Sequence, residues 1–197
     1  MAGTAFPPCA HCGAPEARTS LSGTALCDRC VNDRISQQTG WPRLPDPPPI
    51  ETVRAADGRE VRFRTRLWWA PSGLLVAEAE EVDQPPGDGF EFSVTGALDA
   101  DPHDVLARLR RLVHREVAHR YLEPDPFDSA VSDTTWAIAD REVFGRIDAS
   151  GDPSVREPSV VIDGRRLDWD EFGRMVAPFE GWQFRMRFVD RSENMDP

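Results

Sequence analysis

CAHC at residues 9–12 and CDRC at residues 27–30 are the stretches that decide how the front of this chain folds. They contain the only four cysteines of the 197-residue sequence, arranged as two C-x2-C pairs with fourteen residues between them. Zinc prefers four soft or borderline ligands in a tetrahedron, and closed sites made only of thiolates are structural. The pattern therefore predicts one structural zinc ion bound by Cys9, Cys12, Cys27 and Cys30.

A disulfide scaffold and a redox C-x2-C motif are the alternative interpretations of these cysteines. A redox motif needs only one pair and lies at a βαβ turn. A secreted scaffold would require a signal peptide, and residues 1–8 have neither a basic start nor an apolar core. His11 is a candidate substitute ligand, although four thiols already close the site.

The residues around the two pairs predict a knuckle, a hairpin and a helix. Residues 18–26 fit strand, turn and strand, with Gly23 in the turn, and residues 31–38 fit a helix that stops at Gly40. A helix that carries the second pair in its first turn resembles the treble-clef class of zinc fingers, over roughly residues 6–40. Gly13, after the first knuckle, also fits this class, and a zinc ribbon is the alternative.

Folding of this N-terminal module should depend on the metal. A segment of ~40 residues cannot bury enough apolar surface to fold alone. Zinc binding to such sites contributes on the order of 10–16 kcal/mol at neutral pH. We therefore expect the module to be folded with metal and largely unfolded without it.

The charge is strongly negative and unevenly distributed. The net charge is −11, and residues 1–49 contain four Arg and four acidic residues, so the whole deficit lies in residues 50–197. An acidic protein tends to repel nucleic acid and anionic membranes. All 23 basic residues are Arg, which suggests the codon bias of a GC-rich bacterial genome. No apolar run approaches the ~18 residues of a membrane span, and we expect a cytoplasmic protein.

The remaining chain predicts an α+β architecture. Residues 41–49 form a Pro-rich linker, which we expect to be a semi-rigid spacer, with Trp41 and Leu44 packed on a neighbouring domain. Residues 50–122 predict an antiparallel meander of four strands followed by a long helix. Asp101 and Pro102 suit the start of that helix, which should run to about Tyr121. Residues 133–192 predict a β-rich ββαβ unit, either separate or part of one domain with residues 50–122.

Several local features are expected within these segments. Glu116 and Arg120 should pair one helical turn apart, and the arginines at positions 62, 64 and 66 should form a solvated face of the second strand. Residues 123–132 should be a loop. Strands are expected at 136–140 and 141–148, and a hairpin at 159–167. Asp168 and Glu171 have the form of a capping box.

The C-terminal end has the strongest strand pattern of this part of the chain. Trp182, Phe184, Met186 and Phe188 alternate with polar residues, which indicates a half-buried final strand. Residues 160–184 resemble an uncharacterised bacterial domain. That resemblance implies the ββαβ unit and no activity.

Chemistry beyond the metal site is weakly indicated. His114 and His119 are five residues apart and fall on different helix faces, and no P-loop or nucleophile motif occurs. Asp163, Asp168 and Asp170 could form a second metal or acid–base site, although turn and cap roles explain most of them. We therefore expect a non-enzymatic zinc-binding adaptor with a protein partner. A nucleic-acid-associated regulator is the alternative, followed by a metal-dependent enzyme using the Asp163/Asp168/Asp170 cluster.

Overall fold

A computed structural model describes residues 6–70, 72–85, 87–125, 136–150 and 156–190, and the fold is mixed α+β. The front of the chain contains a short hairpin and a helix: β1 (Thr19–Leu21), β2 (Thr24–Leu26) and α1 (Asp28–Thr39). The centre contains β3 (Glu51–Arg54), β4 (Glu60–Trp69), β5 (Leu75–Glu81), β6 (Glu91–Gly96) and α2 (Pro102–Val117). The last part contains β7 (Leu122–Pro124), β8 (Trp136–Ile138), β9 (Gly145–Asp148), β10 (Ser159–Ile162), β11 (Arg165–Leu167), α3 (Trp169–Val176) and a 3-10 turn (Ala177–Phe179).

The central sheet is the predicted antiparallel meander, in the order β3-β4-β5-β6. One face of β4 alternates inward, because Val61, Phe63, Leu67 and Trp69 are buried and side chains two apart share a face. Helix α2 covers this face, and its apolar stripe joins the same core. The result is a two-layer unit in which sheet and helix bury each other's apolar surface.

Helix α2 begins where its sequence predicts and ends earlier. The Asp101 side chain accepts a hydrogen bond from the backbone N–H of His103, and Pro102 is the first helical residue. The helix ends at Val117 rather than near Tyr121. The predicted Glu116–Arg120 pair is wrong, because Glu116 accepts from Arg115 and from the Tyr121 hydroxyl, whereas Arg120 donates to the backbone carbonyl of Leu122. Once the helix ends, the one-turn spacing no longer places residue 120 above residue 116.

The C-terminal part contains a three-stranded antiparallel sheet in the order β11-β10-β9. The β10–β11 hairpin and the Asp168 cap of α3 are as predicted, with Asp168 accepting from the backbone N–H of Glu171. The loop predicted at 123–132 is partly wrong, because Leu122–Pro124 pairs with Trp136–Ile138. Residues 126–135 lie outside the described residues. The strands predicted at 136–140 and 141–148 are shorter, with Asp140 and Arg141 in left-handed turn conformations.

The final strand of the ββαβ prediction is wrong. Residues 182–190 contain no strand, and Trp182, Phe184, Met186 and Phe188 are exposed, Phe184 by 87% and Phe188 by 71%. Period-two alternation determines which side chains share a face, but a strand also requires a neighbouring strand with free backbone groups. No such pairing to this segment occurs within the described residues.

The N-terminal module packs directly on the central sheet. β3 pairs only with Glu60–Phe63, which leaves the far end of β4 unpaired on that side. Helix α1 lies there, and its Asn32 amide donates to the carbonyl of Leu67 at 2.7 Å and accepts from the N–H of Trp69 at 3.3 Å. Asn32 therefore replaces the hydrogen bonds of a missing strand at an open sheet edge.

The Pro-rich segment 41–49, predicted to be a semi-rigid spacer, lies against the central sheet. The rings of Trp41 and Trp69 meet edge to face with centroids 5.4 Å apart. The Trp69 indole donates to the carbonyl of Pro42 at 3.1 Å. The predicted packing of Trp41 and Leu44 is confirmed, since both lie against the central core.

Candidate metal centre

The four cysteines converge at one point from two local structures. Cys9 and Cys12 bracket a tight turn whose backbone is closed by a hydrogen bond from Gly13 N–H to the Cys9 carbonyl. Cys27 is the N-cap of α1, and Cys30 lies in the first turn of that helix. The four sulfur atoms all lie within 4.8 Å of one another. These thiols could therefore hold one metal ion.

The spacing of the sulfur atoms suits a tetrahedral ion. Zinc–sulfur bonds of about 2.3 Å place tetrahedral sulfur atoms about 3.8 Å apart. The Sγ atoms of Cys12 and Cys27 are separated by 3.6 Å, close to this value and far beyond a disulfide bond of about 2.05 Å. All four cysteines are free thiols, and a soft all-sulfur donor set matches zinc better than a hard cation such as magnesium.

The thiols differ in how readily they lose their protons. Hydrogen bonds from the backbone of Cys27 and then Cys12 lower the pKa of the Cys9 thiol to about 6. Burial raises the pKa of Cys27 and that of Cys30. A divalent cation stabilises thiolates and would offset this burial cost, so metal binding is coupled to loss of the thiol protons.

A small apolar cluster supports the site from inside the module. Its buried members are Cys9, Ala17, Leu26 and Val31. The knuckle is tied to the hairpin by a hydrogen bond from Ala10 N–H to the Ala25 carbonyl at 2.9 Å. This cluster is too small to fold ~40 residues by itself, which is consistent with a fold that depends on the site.

Charged side chains surround the contact between the module and the sheet. Arg66 makes a bidentate ion pair with Asp28, at 2.7 and 2.8 Å. Arg64 pairs with Glu16 at 3.0 Å, and Arg18 pairs with Glu80. The prediction of a solvated arginine face is therefore wrong for Arg64 and Arg66, which are partly covered by the module.

The contact between the module and the sheet also has a signal in the sequence, which the period-two alternation of β4 alone does not reveal. Across the β4–β5 ladder, Arg64 faces Glu80 and Arg66 faces Glu78, so each arginine has an acidic neighbour within the sheet. The module adds Glu16 and Asp28 to the same layer. Arg62, farther from the module, pairs with Asp83 and stays half-exposed. The arginines on this part of the sheet are thus engaged by carboxylates.

Asp163, Asp168 and Asp170 do not converge as a group of potential metal ligands. Among the described residues, the four cysteines are the one group of three or more potential metal ligands that converge. Asp168 caps α3, and Asp170 is exposed in its first turn. Asp163 instead accepts hydrogen bonds from the backbone N–H groups of Tyr121 and Leu122, at 3.0 and 2.8 Å.

The helix histidines have separate environments. His114 contacts the Glu51 carboxylate at 3.0 Å on the exposed side of α2. The ring of His119 packs on that of Tyr121 with centroids 4.3 Å apart. The two side chains thus do not form a common site, as their spacing predicts.

Two segments of the chain are similar to families without an assigned function. Residues 45–118, which include β3 to α2, match a domain of unknown function (DUF7686). Residues 127–193, which include β8 to the 3-10 turn, match a second domain of unknown function (DUF7713). This second match agrees with the resemblance of the C-terminal part to an uncharacterised domain. All four cysteines lie outside both matched ranges.

No curated protein and no solved structure matches the chain. Among the helices of the described residues, none is long and apolar enough to cross a membrane.

Proposed function

We propose that this chain is a non-enzymatic zinc protein that acts as a protein–protein interaction adaptor. The observation that carries the proposal is segment 182–188, which presents four large apolar side chains to solvent. Exposed apolar groups of this size are costly to leave in water and typically mark interaction sites. The adaptor binds its partner through this segment, and the metal maintains the fold at the opposite end of the chain.

The metal in this proposal is a structural zinc ion. Four thiols within 4.8 Å would fill a tetrahedral shell and leave no open position for substrate. The order of knuckle, hairpin and metal-binding helix supports the treble-clef class. In that arrangement Cys27 and Cys30 bind from the helix N-terminus, where the helix dipole favours negatively charged thiolates.

The partner we propose is a protein with an open sheet edge. Segment 182–188 alternates apolar residues with Gln183, Arg185 and Arg187, so as an added strand it would have one apolar and one basic face. Strand addition obtains affinity from main-chain hydrogen bonds and specificity from alternate side chains. The complementary edge is therefore apolar on one face and acidic on the other.

Affinity capture from native lysate tests this function, using the full chain and two variants. Phe184→Asp places a charge in the segment at a highly exposed position, so the fold should be kept. Val176→Asp is the matched control, because Val176 is exposed on α3 outside the segment. We expect a defined protein that wild type and Val176→Asp retain equally and that Phe184→Asp loses at least tenfold, as a desolvated charge costs more than ~1.4 kcal/mol.

Two results would count against the adaptor. One is consistent absence of any specific partner. The other is a partner retained equally by all three proteins, which would place the contact elsewhere. Elemental analysis of the same preparations tests the metal separately, with one zinc per chain expected and a zinc-free, fully ordered protein contradicting that part.

The alternatives have less support from the contacts. A nucleic-acid-associated regulator needs free cationic groups, yet Arg18, Arg64 and Arg66 are paired with carboxylates. A gel shift at about 50 mM salt would reveal such binding. An enzyme using Asp163, Asp168 and Asp170 would need these groups to converge. Asp163 instead accepts from the backbone N–H of Leu122, and Asp168 caps α3.

A further inference from the structure

A cavity of about 670 Å³ lies between the central sheet, α2 and the C-terminal sheet. This volume is within the range of small-molecule sites, about 300–1,000 Å³. Its walls come from β6, α2, β9 and β10, with residues 186–190 along one side. The cavity is remote from the cysteines. It shares Met186, Arg187 and Phe188 with segment 182–188, although Phe184 itself does not line it.

Aromatic rings form a continuous row along this cavity. Phe90 stacks on Phe92 with centroids 5.8 Å apart, Phe92 on Phe144 at 6.4 Å, and Phe144 on Tyr121 at 6.0 Å. All four residues line the cavity. Aromatic faces bind flat apolar groups and also attract organic cations.

The polar groups of the lining favour a positively charged ligand. The lining contains five acidic residues and two arginines; the acidic residues are Glu91, Glu116, Asp148, Asp163 and Asp190, and the arginines are Arg146 and Arg187. Arg146 is committed to Asp148 at 2.8 Å and to the carbonyls of Gly87 and Gly89. Arg115 and Tyr121 satisfy Glu116, each at 2.6 Å.

Asp163 is the acidic group of this lining that has a buried carboxylate oxygen without a hydrogen-bond partner. One carboxylate oxygen accepts from two backbone N–H groups, while the other is buried without a hydrogen-bond partner. Arg165 and His119 act on it only through longer-range attraction. A buried carboxylate without an ion pair is costly, so a cation brought into the cavity would relieve this cost.

We propose that this cavity binds an organic ammonium ligand, namely an aromatic or alicyclic amine. The ring would lie against the Phe90–Tyr121 row, and the ammonium would lie in the field of Asp163. An anionic ligand of the same shape is disfavoured by the same acidic lining.

Three probes that share a phenylethyl group test this site on the full, metal-loaded chain: 2-phenylethylamine, ethylbenzene and 3-phenylpropionate. Binding is followed by ligand-observed NMR titration. We expect 2-phenylethylamine to bind at least about tenfold more tightly than ethylbenzene, because its ammonium is attracted by the negative charge of Asp163 and by the aromatic faces. The carboxylate should bind more weakly than ethylbenzene. Equal binding of all three, or no binding of the amine, would overturn the proposal.

Two variants locate the binding. Ile147→Trp enlarges an exposed side chain of the lining and should reduce amine binding at least tenfold, whereas Val176→Trp, exposed outside the lining, should not. Asp163→Asn keeps a hydrogen-bond acceptor and removes the charge. It should lower the ratio of amine to ethylbenzene affinity while ethylbenzene binding stays unchanged. Unaltered amine binding in Ile147→Trp would show that the probe binds elsewhere.

Discussion

Asp163 joins the end of α2 to the C-terminal hairpin through a single side chain. It occupies a left-handed turn position, with φ of 51°, and its carboxylate accepts from the N–H groups of Tyr121 and Leu122. Its own carbonyl accepts from Arg59 at 3.0 Å. One residue thus ties together three segments that are distant in sequence.

Replacing Asp163 with alanine should destabilise the fold. The substitution leaves two backbone N–H groups without their acceptor and places a side chain that cannot cap in a left-handed turn. We expect a loss of about 1–3 kcal/mol in the free energy of unfolding, measured by urea denaturation. Asp163→Asn, which keeps an acceptor and tolerates this backbone conformation, is the matched control and should lose much less.

The same position predicts a pH dependence. Burial raises the pKa of Asp163, so the folded state holds this proton more tightly than the unfolded state. This tighter proton binding stabilises the fold at pH values below the ordinary Asp pKa of about 3.9. The contribution is lost as the pH rises through the raised pKa of Asp163 in the folded state. An amide at this position does not titrate and would show no such loss. The stability of the Asp163→Asn variant relative to wild type should therefore improve from about pH 4 upward, and parallel curves would contradict this.

Asn32 is the residue through which the N-terminal module meets the backbone of the sheet. Its amide satisfies Leu67 and Trp69 at the unpaired part of β4. Asn32→Ala should cost about 1–3 kcal/mol in the free energy of unfolding, because both buried backbone groups lose their partner. Gln37→Ala, on the exposed side of the same helix, is the control and should change stability by less than about 0.5 kcal/mol. Equal losses of stability in Asn32→Ala and Gln37→Ala would show that the hydrogen bonds of Asn32 do not stabilise the contact between the module and the sheet.

At the scale of elements, β4 combines two different surfaces in one strand. Its apolar face packs under α2, and its arginine face packs under α1. Period two determines this division along the whole strand. Which face meets water is decided by the neighbours, so Arg62 is half-exposed while Arg66 is mostly covered.

The Arg66–Asp28 pair should show measurable coupling between the module and the sheet. Its bidentate geometry and partial burial favour the pair over ordinary surface ion pairs. A double-mutant cycle with Arg66→Met and Asp28→Asn should give a coupling energy of about 1 kcal/mol. The same cycle on Arg62 and Asp83, which are both half-exposed, should give nearly zero. A value near zero for both pairs would remove the ion pair as a docking contact.

At the scale of the whole molecule, the four-cysteine site and the central sheet form one connected structure. The apolar cluster of the module includes Ile35 at its edge, and Ile35 also packs against the central core. Loss of a metal ion bound by the four cysteines should therefore affect the sheet as well as the N-terminal module. This connected structure differs from the predicted arrangement, in which the Pro-rich segment 41–49 spaces two modules apart.

Metal removal tests that connection directly. After chelation, we expect the melting temperature to fall, because the module loses ~10 kcal/mol or more of metal-linked folding energy. Amide exchange at Leu67–Trp69 should become faster, since α1 no longer covers this edge. Exchange in β10 and β11, which belong to the separate C-terminal sheet, should stay nearly constant. Unchanged protection of Trp69 after complete metal loss would show that the module and the sheet are independent.

Local sequence by itself determined the elements whose signals are short-range. The C-x2-C pairs, the hairpins at 19–26 and 159–167, the caps at Asp101 and Asp168, and the two faces of β4 all follow from residue spacing and turn chemistry. These features depend on neighbours within a few residues, so a linear pattern contains the necessary information.

Only the tertiary structure decided where those elements meet. The docking of α1 on the free edge of β4, the contacts of Asp163 and the aromatic cavity bring together residues that are distant in sequence. Arg59 and Asp163, for example, are 104 positions apart. Segment 182–188 also shows that a local pattern does not determine tertiary pairing. Its alternation predicts a strand, but no strand pairs with it among the described residues. Periodicity specifies which face a side chain takes, whereas pairing and burial depend on what the rest of the chain brings into contact.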